Sequence, residues 1–569
     1  MGVLDTVVLA ALVFALLWVL LLRGRRKWHL PPGPSSVPII GNLLQLDPKA
    51  PYNSLLKFSE RYGPVVTLYL GPQRVVVLIG YEAVKEALVD QAEDFIGRGP
   101  FPFLVKVTDG YGTVEMLFFL NIYLRQGGYV FARVCLFVCL SVRGFYLNLY
   151  KKWGCPYVLA YCAFNIKVNN YLLFIASFVL TSHYLRKGLA VSNGERWKQL
   201  RQFTLTTLRD FGMGRKRMEQ WIQEESKHLV ARIDSTKASP FDPTYFLSCT
   251  VSNVICCLVF GQRFSYDDDH FLQLLQIVSA LLKFASSPWC QLYNVFPRLM
   301  EYLPGRHHKV FGRVETLKRF IKKKIREHEE TLEPSSPRDY IDCFLIRLNK
   351  EKDLSTSEFH YDNLVSTVFN LYMGGTESTS STIRFALSVL SKYPEIQEKM
   401  QQEIDSVIGQ ERDPFMEDRK SLPFTDAVIH EIQRFMDIVP MGAPRYALHD
   451  ISFRGYTIPK GTIILPVLHS VLKEKKHWAT PFSFNPEHFL DHNGNFKKNP
   501  SFLPFAAGKR ACAGESLARM ELFIFLVSLL QNFTFFIPGG PDGIDLSPEY
   551  SSFANIPRTY EIIATPRRQ

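Results

Sequence analysis

The chain has 569 residues, is 47% hydrophobic and 13% aromatic, and carries a formal net charge of +12. That is ample material for one very large core or several ordinary ones. Ten cysteines without a CxxC pair or regular spacing exclude a disulfide framework and fit reduced thiols on the cytosolic side, and with no nucleic-acid motif the basic excess reads as a surface for an acidic protein partner or an anionic membrane.

In chain order, Val7 to Leu22 is an uninterrupted apolar run, extended to roughly twenty residues by Gly2 to Leu4. A bilayer core needs ~20 such residues, so residues 3–22 are expected to form a transmembrane signal anchor. Arg23, Arg25, Arg26 and Lys27 follow at once, and only Asp5 is charged before the span. The positive-inside rule then puts everything after residue 23 in the cytosol. A cleaved signal peptide has the opposite charge order. Pro31-Pro32-Gly33-Pro34 completes a basic stop and stiff elbow over 23–34, because proline fixes φ and cannot continue a helix. Val65 to Leu70 and Arg74 to Ile79, separated by Gly71-Pro72, predict a β-hairpin. From about Ser192 onward the pattern is mostly helical. Ser192-x-x-Glu195 is a capping-box signature for a helix bearing Trp197 and Arg201, which lie four apart and so share a face. A helix is expected from about Asp362 to Tyr393, stopped by Pro394; at 1.5 Å per residue it spans ~45 Å. Ile451 to Tyr456, Phe533 to Ile537 and Tyr560 to Ala564 are short β-rich pieces. No repeat or flexible linker divides the chain.

Three motifs carry chemistry. Gly374-Gly375-Thr376-Glu377-Ser378-Thr379 lies inside the long helix, where adjacent glycines cost ~1 kcal/mol each and call for a packing or functional reason. They either kink the helix against a neighbour or make room beside a ligand, with an acid and a hydroxyl following. Glu431-x-x-Arg434 is by itself a routine helical ion pair, and Phe484-Asn-Pro486-Glu487-His488-Phe489 comes about fifty residues later. Last is Phe505-Ala-Ala-Gly508-Lys-Arg510-Ala-Cys512-Ala-Gly514-Glu515, a glycine-bracketed cysteine loop before a helix-like run to Leu530. Gly508 suits a turn that a Cβ would obstruct, and Gly514 lets the chain pass close to a flat ligand. The helix N-terminus and Arg510 are expected to lower the Cys512 pKa, as suits a thiolate that holds a metal.

The last pattern, Phe-x-x-Gly-x-Arg-x-Cys-x-Gly, resembles the heme-binding loop of the cytochrome P-450 family, and the order of the motifs resembles its microsomal family-two type. The resemblance implies a mainly α fold with small β-sheets, the prism fold of that family, behind one N-terminal transmembrane helix. It implies heme b (iron protoporphyrin IX) ligated by Cys512, and oxygen activation at Glu377 and Ser378, where the family usually has threonine in place of Ser378; without the methyl that fixes its rotamer, proton delivery is expected to be looser. It implies a buried structural triad of Glu431, Arg434 and His488. It further implies heme-carboxylate donors at Trp197, Arg201, Arg98, Arg445 and Arg510, since such carboxylates need charge-assisted partners.

The function so implied is a monooxygenase of the endoplasmic reticulum membrane, its catalytic domain on the cytosolic side. It inserts one atom of O2 into a lipophilic small molecule, a fatty acid or xenobiotic, with electrons from NADPH through a flavoprotein reductase and with cytochrome b5 as a further partner. The reductase is expected to dock near Lys198, Arg201 and Lys509. A thiolate-heme isomerase or dehydratase and a catalytically dead product are the alternatives. The last arises from residues 113–188, which interrupt the resemblance. This segment holds one acid, eight Lys and Arg, seventeen aromatics and four cysteines. Its longest apolar run, about eleven residues from Tyr171 to Thr181, is too short to span a bilayer, and its cysteines lack paired metal-ligand spacing. It reads as translated non-coding sequence, expected to be disordered or misfolded, inside a single heme domain over 35–112 and 189–569.

Overall fold

The computed structural model describes residues 28–99, 101–109, 187–212 and 216–567. The expected anchor at 3–22 and almost all of 113–188 lie outside the described residues.

Most elements are helices, as expected, around one long central rod. Those that position the site are, in chain order, the hairpin strands β1 (Val65–Leu70) and β2 (Gln73–Leu78), helices α1 (Gly194–Asp210), α2 (Pro243–Phe260), α3 (Tyr361–Lys392) and α4 (Pro423–Met436), strands β3 (Arg445–Tyr446) and β4 (Ile463–Pro466), and helix α5 (Glu515–Asn532). The rod α3 runs as one helix for 32 residues and ends before Pro394, so the paired glycines do not break it. Gly375 is instead where α2 comes close: a Cβ there would lie 2.2 Å from Ile255 Cδ1. Gly375 thus lets α2 pack closely against α3. Helix α2 is long and apolar enough to cross a membrane, but 78% of it is buried inside the fold, which makes it a core helix against α3.

The hairpin has the expected ends within a residue, paired antiparallel from Val65↔Leu78 to Leu70↔Gln73. It belongs to a four-stranded sheet of order β1-β2-β4-β3, with β2 and β4 parallel. The short strand β3 is held by Arg445↔Ile464, and this pairing fixes Arg445 in the interior. Ile451 to Tyr456 is not one strand; it turns at Arg454-Gly455 into a hairpin of Ile451–Phe453 with Tyr456–Ile458. Phe533–Phe536, close to the expected piece, pairs antiparallel with Ile563–Pro566, a strand that begins three residues later than the expected Tyr560 to Ala564.

The capping box does not form. The residue that precedes α1 is Asn193, and no side chain caps the helix. Ser192 Oγ instead donates back to Gly188 O, closing the short turn Gly188–Val191. Asn193 is taken by a longer-range bond, its Oδ1 accepting from Arg98 N at 2.8 Å and its Nδ2 donating to Arg98 O at 2.9 Å. That bond ties the start of α1 to the chain before the interruption.

Candidate functional site

The cysteine loop runs between β4 and α5 and turns through a 3-10 segment, Gly508–Arg510. Gly508 is needed there twice over: its φ is +73°, and a Cβ would come 1.7 Å from Leu88 O. Cys512 N–H donates to Phe505 O at 3.0 Å, which closes the loop. Gly514 has an ordinary φ of −97°, and the nearest atom to a Cβ there would be Cys512 Sγ at 4.0 Å.

Cys512 is solvent-exposed. Burial pushes its thiol up from the ordinary value, outweighing the Gly514 N–H bond that favours the thiolate. The expected lowering is therefore wrong for the protein by itself. Arg510 is also not the cation the sulfur meets. Its Nη2 donates to Ser192 O at 2.6 Å and its Nε to Ile96 O at 3.1 Å, and its guanidinium lies 4.1 Å over the Trp197 ring. The cation near the sulfur is Arg201, whose Nη2 donates to Ala511 O at 2.7 Å. An arginine two residues before a cysteine is a neighbour in sequence only; the loop turns it to the opposite side.

All five predicted carboxylate donors gather here. Trp197 and Arg201 come from one face of α1, as their spacing required. Arg98 Nη1 donates to Ala443 O at 2.9 Å and to Pro444 O, the residues just before Arg445. Arg445, 2% exposed, leaves Nε and Nη1 without a hydrogen-bond partner among the described residues, and so do Arg510 Nη1 and Trp197 Nε1. Burial, reinforced by the neighbouring guanidiniums, lowers Arg98 to about 10, Arg445 to about 8 and Arg510 to about 7. Arginine stays charged in proteins, so these depressions express buried cations set close to one another. Buried unpaired donors and mutually repelling cations are what a dianionic ligand would satisfy. The two propionates of heme fit that donor set, and Cys512 fits its iron.

On α3, Gly374 and Ser378 are exposed while Glu377 is 3% exposed. No atom would lie within 4 Å of a Cβ at Gly374. Ser378 Oγ donates to Gly374 O at 2.6 Å. Burial raises Glu377 to about 7, partly offset by Arg384 and Lys283. A second buried acid escaped the sequence reading. Glu521 on α5 lies beside Thr379, burial holds it well above the usual carboxylate range, and its Oε1 has no partner among the described residues. Nothing in an apolar helical run announces such a residue.

The structural triad forms. Arg434 Nε and Nη2 each donate to Glu431 at 2.7 Å, and His488 Nδ1 lies 3.1 Å from Glu431 Oε2. Arg434 Nη1 and Nη2 also donate to the carbonyls of Leu472, Pro481 and Ser483. Of the basic face, Lys198 pairs with Glu195 at 2.7 Å and Lys509 pairs with Glu93, so its charge is partly neutralised from within.

The chain matches the family described as Cytochrome P450 over residues 31–118 and 173–564. It is 43% identical over 559 residues to cytochrome P450 2G1 of Oryctolagus cuniculus, with 98% of each chain covered. It is 42% identical over 557 residues to cytochrome P450 2F3 of Capra hircus, again covering 98% of each. With cytochrome P450 2C20 of Macaca fascicularis the identity is 43% over 560 residues, covering 98% of this chain and 99% of the relative.

Proposed function

Because the chain belongs to the cytochrome P450 family, and is therefore a heme-dependent monooxygenase of family-two type, we propose that Cys512 is its iron ligand and that the cluster around Arg445 is its propionate site. The observation that carries this reading is the cluster itself: indole and guanidinium donors, buried and unpartnered, beside a solvent-reachable sulfur. Heme, when bound, supplies the iron-centred chemistry that activates dioxygen, favoured by a thiolate ligand.

The protein's own residues supply the rest. Metal binding needs the thiolate, and the thiol is raised when no metal is bound; the sulfur therefore gives up its proton as it ligates, helped by Gly514 N–H and Arg201. Trp197, Arg445 and Arg510 orient the cofactor and neutralise its carboxylates. Glu377, raised to about 7, can take up and release a proton near neutral pH, a value suited to general acid work. Ser378 passes that proton on after giving up its bond to Gly374 O. The threonine-to-serine departure leaves this hydroxyl freer to turn.

The substrate is a lipophilic small molecule, a fatty acid or xenobiotic, and electrons come from NADPH through a flavoprotein reductase, with cytochrome b5 as a second donor. The docking face is the one bearing Lys198, Arg201 and Lys509. The apolar run at 7–22 and the basic residues after it support anchoring in the endoplasmic reticulum membrane with the heme domain in the cytosol.

Residues 113–188 are in this account a dispensable interruption of one heme domain. Its two edges land on one stretch of α3: Ser366 Oγ donates to Thr108 O at 3.3 Å, and Gly188 N donates to Asn363 Oδ1 at 3.1 Å. Lys187 pairs with Asp362 at 2.7 Å.

The test is turnover of a medium-chain fatty acid with reductase, NADPH and isotopically labelled dioxygen. One labelled atom in the product, dependent on NADPH, is expected. Conversion of a hydroperoxide without NADPH, and none with it, would point to an isomerase or dehydratase instead.

A further inference from the structure

Helix α5 begins at Glu515, three residues after Cys512, and carries Arg519 one turn later. As a surface pair at i,i+4 these two would contribute little. Their surroundings are not those of a surface pair. Arg519 Nε and Nη2 donate to Glu515 Oε1 at 3.0 and 2.9 Å, and Nη1 lies 3.0 Å from His430 Nε2. A guanidinium can only donate, so that ring nitrogen carries no proton. The imidazole proton sits on Nδ1, facing Asp426 O at 2.7 Å and the Asp426 carboxylate at 3.2 Å. The Asp426 carboxylate is in turn held by Arg419 Nε at 2.8 Å. Arg519 also lies 5.2 Å over the ring of Phe505, the residue whose carbonyl accepts the Cys512 N–H. Helix α4 thus fixes Arg519 from behind through His430, and Arg519 faces both ends of the cysteine loop.

We propose that Arg519 is a positioning residue for the reaction, whose guanidinium cancels the charge of Glu515 beside the sulfur and so raises the reduction potential of the iron that Cys512 holds. The inference rests on Cys512 being that ligand. Its physics is simple: a negative charge near the iron favours the ferric state, and a fixed cation against that charge removes the bias. Glu515 stands three residues from Cys512, on the first turn of the helix into which the cysteine loop leads.

The experiment is a dye-mediated redox titration of the heme-bearing full chain, without reductase, in four forms: parent, Arg519→Gln, Glu515→Gln and the double variant. The titration reads only molecules that hold heme, so incomplete loading does not affect it. Arg519→Gln is expected to shift the ferric–ferrous equilibrium about threefold toward ferric, ~28 mV at ~59 mV per decade. Glu515→Gln is expected to shift it the other way, adding Arg519→Gln to Glu515→Gln is expected to return it toward the parent, and Arg519→Lys is expected to restore most of the effect. An unmoved potential in Arg519→Gln, or a double variant that falls as far below the parent as Arg519→Gln alone does, overturns the proposal. If Arg519→Gln holds no heme, Glu515→Gln decides: a rise supports the proposal and no change overturns it. The reduced, carbon-monoxide-bound spectrum of the parent separates the two levels. A strongly red-shifted band with unmoved potentials sinks this inference alone, whereas a heme without that band sinks the Cys512 reading and this inference with it.

Discussion

Replacing Arg445 by methionine should move the heme-free and heme-loaded proteins in opposite directions. Arg445 is 2% exposed, with Nε and Nη1 unpartnered among the described residues, and it faces the cations of Arg98 and Arg201. Exchanging buried charges for apolar side chains of similar volume is neutral or stabilising by ~1–4 kcal/mol. The heme-free protein should therefore unfold at a higher temperature. A hydrogen bond to a charged group contributes ~1.5–3 kcal/mol, so the loaded protein should lose heme to a scavenging apoglobin between about tenfold and 150-fold faster. Calorimetry of the stripped protein and stopped-flow heme transfer read the two arms. A heme-free protein that loses stability while heme release stays unchanged would mean that Arg445 is a structural residue, and the propionate site would have to lie elsewhere.

Glu431→Ala should destabilise the fold by ~3–5 kcal/mol in denaturant titration, because Arg434 and His488 lose their buried counter-charge. Glu377→Gln bears on pH: a carboxyl raised to about 7 in the fold stabilises below its unfolded value near 4.5, and that contribution is lost as pH rises through 7. The variant should therefore gain in melting temperature on the parent between about pH 5 and 8, and a constant difference would contradict the assignment. Excising 113–188, which joins Gly112 to Leu189, should raise bound heme per protein; equal, full occupancy in the long chain would defeat the idea that the segment interrupts a working domain.

The sequence was most informative where a residue's role depends on its near neighbours. The hairpin, the limits of α3, the Gly508 turn and the shared face of Trp197 and Arg201 all follow from periods of two or 3.6 and from glycine's freedom at positive φ. The triad could be read because two motifs together named it. Legibility failed where one side chain chooses among distant partners. Ser192 had a capping partner in sequence but bonded Gly188. Arg510 stood two residues from the sulfur but turned toward Ser192 and Ile96, and Arg201, far earlier in the chain, took its place. Glu515 and Arg519 drew no notice in the sequence, because His430 and Phe505, which make them more than a surface pair, come from elements that only the fold brings near. The Cys512 thiol is a further case: helix and arginine pointed to a lowered pKa, and desolvation, which no local pattern encodes, prevailed.

The central claim is that the sulfur of Cys512 holds the iron, and the reduced, carbon-monoxide-bound spectrum tests it most directly. The parent is expected to show its main band strongly shifted to the red, and Cys512→Ser is expected to lose that shift even where some heme remains bound. A serine variant that keeps the red-shifted band would contradict the account.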